Sequence, residues 1–94
     1  MKKIIDGKIY NSKTGESLAS YDHNNNGNYS GTSTLMRTKS GLYYIWCDSN
    51  GQDGYLRDSI RTVNKEEVIE FLTNSDTTDE QIERLIKLEL IKEA

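Results

Sequence analysis

Ninety-four residues are enough for one domain with a small core, 34% apolar and 29% charged, and the chain reads as a single unit over 1–94. Twelve Lys and Arg against fifteen Asp and Glu give a net charge of −3. That balance argues against a nucleic-acid binder held by phosphate contacts. The longest apolar run, Leu42 to Cys47, has six residues, too few for a membrane span. Met1-Lys2-Lys3-Ile4-Ile5 meets Asp6-Gly7 at once, so no signal peptide is expected, and a single cysteine fits a reducing, cytoplasmic setting.

Charge and glycine divide the chain at one place. Residues 1–63 carry eight bases and six acids, whereas residues 64–94 carry four bases and nine acids, and no glycine follows Gly54. A Gly- and Tyr-rich β part should therefore precede an acidic helical part. The expected class is α+β: an antiparallel β-sheet of four to five strands built from hairpins, then two C-terminal α-helices.

In chain order, Ile4-Ile5 and Ile9-Tyr10 flank Asp6-Gly7, a pair suited to the positive φ angles of a type I′ hairpin turn. Asn11 to Glu16 predicts a second turn and Ser17–Asp22 a strand. His23-Asn24-Asn25-Asn26-Gly27-Asn28 reads as a polar loop. Ser33–Thr38 and Leu42–Cys47 predict a hairpin around Lys39-Ser40-Gly41. Asp48 to Gly54 is a further loop and Tyr55–Val63 a final strand. Asn64 with Glu67 predicts a capping box opening a helix that runs through Leu72. Thr78 with Gln81, or Thr77 with Glu80, opens a second one reaching Lys92.

Few residues carry chemistry. His23 and Cys47 are the only histidine and cysteine, too few ligands for a four-coordinate zinc site, and nothing in the sequence sets them side by side. Asp22 to Gly27 matches the opening of an EF-hand loop, but Ser33 stands where such a loop needs its bidentate Glu. A plain polar loop accounts for the same residues. Neither phosphate-binding glycine pattern occurs. No catalytic residue, cofactor or metal is assigned, and the chain is read as non-enzymatic. Lys2, Lys3, Lys8 and Lys13 make a modest basic edge of the kind that blunts sheet edges.

The third hairpin says most. With Thr38 opposite Leu42, Met36 faces Tyr44 and Thr34 faces Trp46 on one side, while Leu35, Arg37, Tyr43, Ile45 and Cys47 take the other. Both faces are apolar, so both need cover. The helices can take one, leaving either a Tyr/Trp/Met surface or a second layer of strands. The candidate partner-binding residues are accordingly Met36, Tyr44 and Trp46, with Glu80 and Glu83 on the acidic helical part.

Met1-Lys2-Lys3-Ile4-Ile5-Asp6-Gly7-Lys8-Ile9-Tyr10-Asn11-Ser12-Lys13-Thr14 resembles the start of many small proteins of phages, plasmids and integrative elements, M-K-K-I-I-N-G-K-x-Y-[DN]-T-x-T-A. Leu35-Met36-Arg37-Thr38-Lys39-Ser40-Gly41-Leu42-Tyr43-Tyr44 is similar to their second signature, L-Y-[RK]-T-K-x-G-x-[YF]-F. Ile60 to Glu67 resembles the strand entering their C-terminal helix. The likeness covers residues 1–73, departs at Gly15-Glu16, where Ala is common, and places no counterpart for 76–94. It implies an anti-defence protein: an anti-CRISPR inhibitor whose partner is an RNA-guided effector nuclease or another bacterial defence protein. The alternative is a mobile-element accessory or regulatory interaction domain, self-associating as a homodimer, with no nuclease partner. Neither reading expects a membrane or direct nucleic-acid contact.

Overall fold

A computed structural model describes residues 1–25, 28–48 and 58–94. Its strands are β1 (Lys2–Ile5), β2 (Lys8–Asn11), β3 (Glu16–Asn25), β4 (Asn28–Arg37), β5 (Tyr43–Asp48) and β6 (Ser59–Thr62). Its helices are α1 (Lys65–Asn74) and α2 (Asp79–Lys87). The α+β expectation holds, with the strands divided between two sheets. A meander β3-β4-β5-β6 forms one antiparallel sheet, and β1-β2 is a separate hairpin.

Local chemistry sets each corner. Asp6 and Gly7 have φ of 51° and 75°, the I′ geometry, with Ile5 paired to Lys8 on either side. At the β4–β5 turn the Thr38 N–H donates to the Leu42 carbonyl at 2.8 Å, and Met36 pairs with Tyr44 and Thr34 with Trp46 as the alternation requires. Both capping boxes form. Asn64 Oδ1 accepts from Glu67 N–H at 2.9 Å, and Thr78 Oγ1 accepts from Gln81 N–H at 3.2 Å.

Three expectations need correction. The polar stretch His23 to Asn28 is not a free loop: β3 runs to Asn25 and β4 starts at Asn28, with register shifts at Ser17/Ala19 and His23/Asn24. A long antiparallel partner overrides the weak strand preference of Asn and His. Among the described residues the final strand is Ser59–Thr62; of the expected loop Asp48 to Gly54, Asp48 belongs to β5, and the rest of that loop and positions 55–57 of the expected strand lie outside the described residues. Helix α2 ends at Lys87, not Lys92. There Glu89 enters the left-handed region at φ 60°, its N–H donating to Ile86 and the Leu90 N–H to Leu85, the pattern of a Schellman stop. The turn folds Leu90 back into the core instead of continuing the helical stripe.

The sheet carries a core on each face. On one, Leu18, Ala19, Leu35 and Ile45 meet Val68 and Phe71 of α1 and Leu85 of α2, with Leu90. On the other, Met36, Tyr44 and Ile60 are covered by Tyr10, with Ile5, Leu42 and Trp46 around them. The second layer is thus the β1–β2 hairpin. Among the described residues, no helix is long and apolar enough to cross a membrane.

Candidate interaction site

Met36 and Tyr44, read from sequence as surface candidates, are packing residues. They are 4% and 1% exposed, because Tyr10 meets Tyr44 edge to face with ring centroids 5.3 Å apart. The Tyr44 hydroxyl donates to the Asn11 carbonyl at 2.7 Å, tying the hairpin to the sheet. Burial pushes the Tyr44 phenol above its ordinary value of 10.0. Trp46 packs beside this cluster and stays half-buried. Contact roles for Met36 and Tyr44 would need the hairpin to lift away.

Glu80 and Glu83 stand exposed on α2, which packs on the opposite face of the sheet from Trp46. The five candidates therefore do not form one patch. The helices expose five carboxylates, Glu66 and Glu70 on α1 and Asp79, Glu80 and Glu83 on α2, alongside the exposed Lys65, Arg84 and Lys87. The neighbouring Glu67 and Glu16 are already paired, with Arg61 at 3.1 Å and with Arg84 respectively. Among the described residues Glu80 and Glu83 make no ion pair.

The β3 extension also creates an array that sequence reading did not foresee. His23 Nε2 lies 2.6 Å from Ser33 Oγ, and Ser33 Oγ lies 3.2 Å from Cys47 Sγ, so β3, β4 and β5 are linked by three side chains. Tyr21 bridges this array to α1, its ring centroid 4.7 Å from His23 and 5.1 Å from Phe71. The signal was the register itself. Once β3 continues past Asp22, Tyr21 pairs with Ser33 and His23 with Gly31, which sets the imidazole over Ser33. Ser33 is 2% exposed, its hydroxyl enclosed between its neighbours.

Asp22 to Asn25 of the EF-hand-like segment belong to β3. Asp22 pairs with Thr32 across the ladder, and Asp22 Oδ1 accepts from Thr32 Oγ1 at 2.8 Å. A ligating loop would need these backbones apart. Asn26 and Gly27 lie outside the described residues. Among the described residues, no three His, Cys, Asp or Glu side chains stand close enough to hold a metal ion.

The basic residues sit on the hairpin. Lys3 Nζ donates to the Ile60 carbonyl at 3.2 Å, capping the outer edge of β6, while Lys2, Lys8 and Lys13 are exposed. With the fold and its surfaces in view, comparison with known proteins adds nothing: no family model, no curated protein and no solved structure matches the chain.

Proposed function

We propose that this chain is a non-enzymatic anti-defence protein, an anti-CRISPR inhibitor that binds an RNA-guided nuclease and blocks its access to nucleic acid. The observation that carries the reading is the set of exposed carboxylates on the helices, Glu80 and Glu83 among them, these two making no ion pair among the described residues. Such nucleases hold their guide–target duplex in a positively charged channel. Such carboxylates are attracted there and compete with the phosphate backbone they imitate in charge. The likeness of residues 1–73 to small mobile-element proteins supplies the class of partner. Trp46, half-exposed on the other face, is a second point of contact only if the partner reaches around the sheet.

The test is capture of the tagged protein from a bacterial lysate containing CRISPR effectors, followed by a cleavage assay on whatever nuclease is recovered. Near-equal stoichiometry and loss of cleavage are expected. Joint Glu80→Lys and Glu83→Lys substitution should weaken capture roughly tenfold and reduce its salt dependence. A folded bait that recovers no nuclease overturns the reading.

A further inference from the structure

The two faces of the four-stranded sheet are held in different ways. On the helix side, buried residues of β3, β4, β5, α1 and α2 interlock, with Leu90 folded in among them. On the hairpin side, Met36, Tyr44 and Ile60 belong to the sheet itself. The hairpin adds Tyr10 at full depth and Ile5 half-buried beside it. Its other face contributes nothing to the seat, since Ile4 and Ile9 are 73% and 67% exposed. Among the described residues, no backbone-to-backbone hydrogen bond joins β1 or β2 to the meander. The fasteners are side chains: the Tyr10–Tyr44 ring contact, the Tyr44 hydroxyl on the Asn11 carbonyl, and the Lys3 ammonium on the Ile60 carbonyl. Residues 12–15 join the hairpin to β3 as a turn.

We propose that the β1–β2 hairpin is a hinged cover, which lifts away about residues 12–15 while the meander and its helices stay folded. The sheet does not need the cover to keep its shape, because its ladders and its helix-side core lie elsewhere. The cover does need the sheet. A two-stranded hairpin is marginal alone in water, so it frays once lifted. Elements with few buried apolar contacts open at the low end of a fold's stability range, and this hairpin is such an element. Opening lays Met36, Tyr44 and Ile60 bare beside the half-buried Trp46, turning packing residues into one aromatic and apolar surface.

Native-state hydrogen exchange, read amide by amide by NMR on the full chain in low urea, tests this. Protected amides of β1 and β2 should exchange roughly tenfold or more faster than those of β4 and β5. Their urea dependence should be weaker, because lifting the cover exposes little surface. A mild variant in the helix-side core separates local from global opening. Ile45 keeps its contacts there whether the cover is shut or lifted. Ile45→Val should therefore speed exchange in β4 and β5 several-fold and leave β1 and β2 unchanged. Tyr10→Ala removes the seat and should speed β1 and β2 further.

Exchange in β1 and β2 no faster than in β4 and β5 overturns the proposal, as the hairpin would then leave only with the whole chain. An Ile45→Val effect equal in all four strands does the same. So does a Tyr10→Ala variant with unchanged rates in β1 and β2, which would mean that the hairpin frays in place. No partner enters these readouts, so this proposal and the nuclease reading fail separately.

Discussion

Gly15 lies directly against the Tyr44 hydroxyl. A Cβ built on Gly15 would meet that oxygen well inside van der Waals contact, with the ring Cζ at 2.8 Å and Met36 Cε at 3.3 Å. The Tyr44 hydroxyl and a methyl at position 15 would occupy the same volume.

Gly15→Ala alone should therefore destabilise the fold by about 1–3 kcal/mol through overpacking. Tyr44→Phe alone should cost about 1 kcal/mol, the hydrogen bond to the Asn11 carbonyl being lost. The double variant should cost less than the sum, since removing the oxygen vacates much of the space that the new methyl needs. Urea unfolding of all four proteins yields the coupling directly, and strict additivity would show that the contact is not shared.

Alkaline stability follows from the same phenol. Its pKa is raised in the folded chain, so folding favours the neutral form. This contribution is fully present below the unfolded value near 10.0 and is lost as pH rises from there through the folded value. The stability advantage of the wild type over Tyr44→Phe should shrink above that pH and be constant below it. Paired denaturation curves across the alkaline range check the sign.

Glu89 holds a left-handed backbone at φ 60° with a side chain that gains nothing evident from it. Glu89→Gly should stabilise the protein by about 1 kcal/mol, because the Schellman turn is kept and the Cβ penalty removed. A shifted urea midpoint with an unchanged slope is the expected result.

Ser33 joins His23 and Cys47 from a buried position. Ser33→Ala should cost about 1–3 kcal/mol, the price of breaking two hydrogen bonds at once. The loss should be smaller in a Cys47→Ala background, where one of the two bonds is already gone.

What sequence could reveal here was local. Asp6-Gly7, Asn64 with Glu67, Thr78 with Gln81, and Thr38 opposite Leu42 are each settled by a handful of neighbouring residues. The hidden parts depend on distant ones. Asn24, Asn25 and Asn28 are poor strand formers, yet β3 and β4 pair through them. Glu89 stops a helix without the glycine that announces such a stop. The alternation of Met36, Tyr44 and Trp46 showed that a second face needed cover. It did not distinguish a partner from the chain's own Tyr10, 26 and 34 positions away from Met36 and Tyr44. The carboxylates were legible as composition, but their separation from Trp46 required the layering.

The hydrogen bond from Tyr44 to Asn11 spans 33 positions, and its acceptor belongs to the part of the chain synthesised first. Residues 2–11 therefore leave the ribosome before any of the surface on which they will rest. Strands β3, β4 and β5 each pair with the strand that follows, so this sheet can zip in order as it emerges. The hairpin must wait for β5 and then close over a finished sheet. During that interval Ile5 and Tyr10 are bare, as are Ile4 and Ile9. Newborn chains in this window expose more apolar surface than the finished fold, and it is then that they are most prone to associate wrongly.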